Sequence, residues 1–267
     1  MIDFNEAIRG LLSKGYGEEN VEEKLAQDIL LKALSDCGLK EHVTIKGGVV
    51  MANLTNDIRR TTMDLDVDLV RYSIEDGSIR LLVERMNCIE GVTISLVGEI
   101  IELKQQEYHG KRVFLSLQDG QGNTVDGKID IGVHTVAAAT QDERSFEVDS
   151  ISQEEAILFA NSPEQVFVEK LKSLLRLGPI SNRAKDVDDM LYLSGVVDRM
   201  KLHLLIKTYI FDDTRMMEKD MRGVVRRVRK TFSDPKYFAR LKHRRANWLQ
   251  VDPSESTRRL LAFLESL

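Results

Sequence analysis

The chain opens with apolar and polar positions recurring at the helical period. Phe4 to about Lys14 forms one such stretch, and a longer one runs from Val21 to about Cys37 with Leu25, Ile29, Leu30 and Leu34 on one face. The period then shortens to that of a strand. VTIKGG, Val43 to Gly48, reads as a strand entering a glycine pair, and VVMANL behind it as the start of a helix. DLDVDLV, Asp64 to Val70, alternates strictly, and strand-like runs begin at Gly91, Arg112 and Thr124, the last two joined by the turn-rich DGQGN. From Pro163 the helical period returns through PEQVFVEKLKSLLRL, RAKDVDDMLYLSGVV, KLHLLIKTYIF, a basic stretch near Arg215 to Lys230, and ESTRRLLAFLESL. The texture changes between 150 and 163, where Ser162-Pro163 suits a helix entry. The pattern predicts an α+β chain: a mixed sheet with flanking helices over residues 1–155, then a helical half over 156–267.

Composition narrows the class. With 267 residues, 42% hydrophobic and 30% charged, the chain can bury one large core or two modest ones, and disorder or collagen-like repetition is excluded. Cys37 and Cys88 are the only cysteines and neither belongs to a CxxC, which fits a reducing compartment and excludes a thiolate zinc site. MIDFNEAIRG lacks a basic segment followed by an apolar one, and no apolar run reaches the length of a membrane span, so a cytoplasmic protein without a membrane partner is expected.

Charge is distributed unevenly. The net charge is −5, yet residues 199–250 hold 15 Lys+Arg against 5 Asp+Glu. An anionic partner such as RNA is one reading of that segment, and a solvated helical face is the other. Lys219, Arg222, Arg226 and Arg229 share a helical face, and Arg240, Lys242, Arg244 and Arg245 cluster near Trp248, an arrangement suited to a phosphate backbone with a stacked base.

The chemistry concentrates in RRTTMDLDVDLV. On a strand Asp64, Asp66 and Asp68 project to one side while Leu65, Val67 and Leu69 enter a core. Three carboxylates on one face repel unless cations sit among them, and Mg²⁺ favours carboxylate oxygens together with substrate phosphates. An exposed acidic strand face is the plain alternative. An EF-hand loop is excluded, because Leu69 stands where its glycine is required. Lys46, Gly47 and Gly48 lie between strand and helix, where glycines let the backbone approach a phosphate and the helix N-terminus favours negative charge. Asp130 follows Lys128 at strand spacing, so the two face the same way, and a carboxylate there could serve as a base or a further metal ligand. Lys170 and Asp186 each fall on an apolar helical face, which is costly unless they meet each other or a ligand. His42, His109, His134, His203 and His243 have no metal-site spacing, and neither GxSxG nor HExxH occurs.

The runs IKGGVVMANL and RRTTMDLDVDL resemble the glycine and RxTxDxD motifs of the AbiEii/AbiGii toxin family of nucleotidyltransferases, at Arg60, Thr62, Asp64 and Asp66. VDGKIDIGV resembles its third acidic strand, with Asp130, and EKLKSLLRL with RAKDVDDMLYL resembles its later motifs, at Lys170, Arg183, Lys185, Asp186 and Asp189. The resemblance spans roughly residues 40–195 and departs at Val49, where the family usually carries Thr or Ser. It implies a nucleotidyltransferase-like fold and transfer of an NMP from an NTP to an acceptor hydroxyl, with a tRNA 3′ end as one candidate acceptor and a small molecule such as an aminoglycoside as another. In that scheme Asp64, Asp66 and Asp130 hold Mg²⁺ or Mn²⁺, Gly47 and Gly48 cradle phosphates with Lys46, Arg60, Thr62, Arg183, Lys185 and Asp189 around the nucleotide, and Lys170 with Asp186 steadies the triphosphate. A cognate antitoxin is implied as partner. Two alternatives remain: a DxDxV phosphatase with Asp64 as nucleophile, for which no downstream GDxxxD is present, and a catalytically degenerate nucleotide- or RNA-binding module.

Overall fold

A computed structural model of the chain describes all residues except 1, 61, 63, 104–109, 134–140, 149, 152–154 and 243–246. The chain forms two compact units, Met1–Asn161 and Ser162–Leu267. In the first, the order is α1 (Phe4–Ser13), α2 (Val21–Asp36), β1 (Val43–Lys46), α3 (Gly47–Thr55), β2 (Leu65–Leu69), α4 (Asp76–Arg85), β3 (Val92–Leu103), β4 (Gly110–Asp119), β5 (Thr124–Val133), β6 (Gln141–Phe146) and β7 (Ala156–Asn161). The strands make one seven-stranded sheet in the order β3-β4-β5-β2-β1-β7-β6. β2 pairs with β5 and β1 with β7 in parallel, whereas the other neighbours are antiparallel. The fold is α+β, as the pattern predicts.

Alternation decides which face is core. Leu65, Val67 and Leu69 of β2, Ile129 and Ile131 of β5, and Val113, Leu115 and Leu117 of β4 are buried. α2 lies over β5 and β7 and contributes Leu25, Ile29, Leu30 and Leu34, the predicted face, fully buried. Asp119 fastens α1 to the β4–β5 turn. Its carboxylate accepts from the backbone N–H of Phe4 at 3.0 Å, of Gln121 at 2.9 Å and of Asn123 at 2.9 Å, and from the Asn123 side chain at 2.8 Å. Burial pushes that carboxyl up, but these hydrogen bonds outweigh it and bring it down to about 2.

The second unit is helical: α5 (Pro163–Leu177), α6 (Lys185–Leu193), α7 (Arg199–Ile206), α8 (Met221–Phe232), α9 (Pro235–Lys242) and α10 (Pro253–Glu265). Most of these helices start where a short polar side chain meets an N-terminal amide. Ser162 accepts from Gln165, Asp198 from Lys201, Asp220 from Gly223, Asp234 from Tyr237 and Asp252 from Ser254. α5 packs on α6, α7 and α8, and α10 on α6 and α8.

Several expectations shift. The first strand ends at Lys46 because Gly47 already begins α3. The first unit runs to Asn161 rather than 155, since Ala156–Asn161 is a strand paired with both β1 and β6. α4, β6, β7 and α9 carry no clear period in the sequence. QDERSF of β6 holds one apolar residue, and PKYFARLK of α9 spans barely two turns. No helix of the described residues is long and apolar enough to cross a membrane.

Candidate active site

The first unit gathers the glycine pair and the aspartates at the centre of the sheet. β1 runs antiparallel to β2, placing Lys46 opposite Asp66, while β5 runs parallel to β2 on its other side, placing Asp130 opposite Asp66. Gly47 adopts φ +67°, a left-handed conformation that costs a side-chain-bearing residue, and a Cβ there would fall on the Asp66 carboxylate. A Cβ at Gly48 would fall on the Thr62 hydroxyl. The backbone between β1 and α3 therefore lies directly against Asp66 and Thr62. The Thr62 carbonyl accepts from Gln27 of α2 at 3.3 Å, and Arg60, at the end of the 3₁₀ turn Ile58–Arg60, is buried.

Each remaining carboxylate on this face meets a basic side chain. The Lys46 ammonium is 2.5 Å from Asp68, Lys128 pairs with Asp64, and Arg112 of β4 grips Asp130 with Nε and Nη2, each at 2.7 Å. A guanidinium matched to both carboxylate oxygens is the strongest form of such a pair. The hydrogen bond from Arg112 to Asp130 raises the guanidinium further above its ordinary range. Among the described residues no three His, Cys, Asp or Glu side chains form a ready-made metal cage, and Asp64 and Asp130 pair with Lys128 and Arg112.

In the second unit Lys170 of α5 and Asp186 of α6, each expected on an apolar face, meet at 2.7 Å. Lys170 also reaches Asp189 at 2.8 Å, and the Asp189 side chain is 0% exposed. Asp189 in turn accepts from the Trp248 indole N–H at 3.1 Å. Lys170 thus bridges two carboxylates one helical turn apart. Arg183 and Lys185 stand exposed at the entry to α6.

The chain matches the family model described as nucleotidyl transferase AbiEii toxin, type IV toxin-antitoxin system, over residues 29–259. It belongs to the AbiEii toxin family of nucleotidyltransferases. No curated protein sequence matches it. Similar solved structures include an antigenic nucleotidyltransferase-like protein from Paracoccidioides brasiliensis, at 15% identity over 70% of this chain and 88% of that one, with a TM-score of 0.44. The antibiotic-resistance factor ANT(2'')-Ia in solution is 14% identical over 71% of this chain and 91% of its own, TM-score 0.41. Its complex with adenylyl-2''-tobramycin gives 14%, 68%, 95% and 0.38. Membership of the AbiEii family makes the chain a transferase rather than the phosphatase considered from DxDxV, and implies an NTP substrate and a cognate antitoxin.

The AbiEii motifs identified in the sequence converge as two groups: Lys46, Gly47, Gly48, Thr62, Asp64, Asp66 and Asp130 in the first unit, and Lys170, Asp186 and Asp189 in the second. The donor chemistry of the first group fits a divalent cation. Asp66 of β2 and Asp64 just before that strand offer hard oxygen donors, and Asp66 lies against the glycine backbone that opens α3, a donor set of the kind Mg²⁺ takes. Val49, the departure from the family pattern, is buried in the core with Val50 and Met51.

Trp248 requires a correction. It is 4% exposed and lies 5.6 Å from the Tyr192 ring with its N–H on Asp189, so it is core and offers no base a stacking surface. Arg222, Arg226 and Arg229 do stand exposed along α8, although Arg229 pairs with Glu265. Lys219 precedes that helix and donates to the carbonyls of Phe211 and Asp213. Arg244 and Arg245 lie outside the described residues, as do His109, His134 and His243. Sequence reasoning missed Arg112 and the pairing of Lys128. The signal was available: the DGQGN hairpin pairs Gln118 with Thr124, and counting back along both strands reaches Arg112 opposite Asp130.

Proposed function

We propose that this AbiEii-family chain transfers an NMP from an NTP to the 3′ hydroxyl of a tRNA in a Mg²⁺- or Mn²⁺-dependent reaction, acting in the cytoplasm as a toxin held in check by a cognate antitoxin. The observation that carries the reading is Asp66, set opposite Asp130 across β2 and β5 and touching the backbone at left-handed Gly47.

Asp64 and Asp66 would hold the divalent ion, with Asp130 beside them. Bound there, the ion neutralises charge that builds on the triphosphate as it reacts. Gly47 and Gly48 receive phosphate oxygens on backbone N–H groups at the start of α3, with Lys46 beside them. Thr62, packed on Gly48, and the buried Arg60 shape the floor under the nucleotide. The acceptor hydroxyl oxygen bonds to the α-phosphorus, the bond to the β-phosphate oxygen breaks, and pyrophosphate leaves. Asp130 takes the hydroxyl proton, with Arg112 fixing its orientation. Lys170, positioned by Asp186 and Asp189, steadies triphosphate oxygens, and Arg183 and Lys185 offer exposed cations nearby in sequence. The exposed arginines of α8 provide a surface for the RNA backbone within the 199–250 segment.

The test is incubation of the protein with each α-labelled NTP, Mg²⁺ and bulk tRNA beside Asp64→Ala. Label entering RNA with the unaltered chain alone supports the reading and identifies the nucleotide. Label absent from RNA but present on protein or a small acceptor overturns the tRNA assignment, and equal labelling by Asp64→Ala overturns the site.

A further inference from the structure

The ion pairs on the site face are not equivalent. Asp130 is gripped at both oxygens by Arg112, and its side chain is only 10% exposed. Asp64 meets a single ammonium, and that pair stands open to water, with the Asp64 side chain 50% and the Lys128 side chain 30% exposed. A two-point fork on a nearly buried carboxylate resists exchange, whereas a one-point pair on an exposed carboxylate is weak and readily replaced. The placement follows from strand register. β2 and β5 are parallel with Leu65 beside Ile129, so the residue before each, Asp64 and Lys128, meet at the entry to the pair.

We propose that Lys128 is a displaceable counter-ion: its ammonium occupies Asp64 while the site is unloaded, and it passes to a phosphate oxygen when metal and NTP enter. The proposal rests on Asp64 being a metal ligand, as argued above. Three observations carry it. The partner is a lysine, whose compact charge on a flexible four-carbon stem can swing between two anions, unlike the planar fork of Arg112. Its target is the carboxylate most exposed to an incoming ion among those paired on this face. Its strand also carries Asp130, two residues on and on the same face, so a released ammonium stays beside the reacting centre. Metal binding without nucleotide must then compete with Lys128, while nucleotide supplies the anion that takes the ammonium away. Metal and nucleotide binding are thereby coupled through one side chain.

The experiment uses the full chain and Mn²⁺ alone, with free Mn²⁺ followed by electron paramagnetic resonance, for the unaltered protein, Lys128→Gln, Lys128→Arg, Lys111→Gln and Asp64→Asn. Lys111 is the control of equal charge: it neighbours Arg112 on the opposite strand face and pairs with Asp76. Lys128→Gln is expected to bind Mn²⁺ about fivefold more tightly, the scale of an exposed ion pair. Lys128→Arg and Lys111→Gln should stay within twofold of the unaltered chain. Adding a non-hydrolysable NTP should then tighten Mn²⁺ binding less in Lys128→Gln than in the unaltered chain. No tightening in Lys128→Gln, or equal tightening in Lys111→Gln, overturns the proposal. Mn²⁺ binding that Asp64→Asn leaves untouched would instead remove Asp64 as a ligand, a different failure with its own signature.

Discussion

Gly47 allows the contact between the glycine turn and Asp66 to be separated from backbone strain. Ala in a left-handed conformation costs roughly 1–2 kcal/mol, partly offset because Ala also restricts the unfolded chain. Gly98, in the irregular stretch of β3, has φ +70° and nothing within 4 Å of an added Cβ, so Gly98→Ala carries the strain alone. Both variants should lose about 1 kcal/mol in urea denaturation, a fall of about 2–4 °C in Tm for a protein of this size. Gly47→Ala must in addition turn the Asp66 carboxylate aside, an off-rotamer cost of about 1 kcal/mol. Its chemical consequence is larger, because a displacement of about 1 Å at a reacting centre lowers rates on the order of 10²-fold. The assay is initial label transfer from an α-labelled NTP beside the urea midpoint. Gly98→Ala should keep its rate, and Gly47→Ala should lose it while remaining folded. Equal rates in the two variants would refute the claim that the turn positions Asp66.

Further outcomes follow from the same geometry. Lys170→Met removes the cation between Asp186 and Asp189 and should destabilise the chain by about 3 kcal/mol, read by urea denaturation, with Lys170→Arg recovering only part. Asp119 is held down to about 2 against an unfolded value near 4, so its contribution is present in full above about pH 4 and disappears as pH falls through about 2. Circular dichroism on acid titration should show Asp119→Asn already weakened at neutral pH and less sensitive across that window. Arg222→Gln with Arg226→Gln should leave Tm within about 1 °C yet lower the salt dependence of RNA binding by up to about two counterions, measured by filter binding. Trp248→Phe deletes the donor to buried Asp189 and should cost about 1–3 kcal/mol in the same urea assay.

The strictly alternating segment was the most legible part of the chain, because its period fixes which side chains enter the core before any neighbour is known: Leu65, Val67 and Leu69 are buried as expected. The meeting of Lys170 with Asp186 was legible for the same reason, each being misplaced on an apolar stripe. What escaped was pairing across distance. Nothing local in QDERSF marks β6 as a strand, since its backbone partner is β7 and its side chains are mostly polar. Trp248 looked like a surface aromatic because basic residues surround it in sequence, yet it is Tyr192 and Asp189 on α6 that enclose it.

That enclosure gives the protein an internal lamp. Trp248 is the only tryptophan in the chain, its indole N–H ends on Asp189, and Asp189 shares Lys170 with Asp186. Ultraviolet emission excited at the indole therefore arises from one known spot, two contacts away from Lys170, the lysine proposed to steady the triphosphate. Any ligand that draws Lys170 off Asp189 changes the charge facing the ring, so a spectral shift on adding unlabelled nucleotide would time that event in solution without a dye.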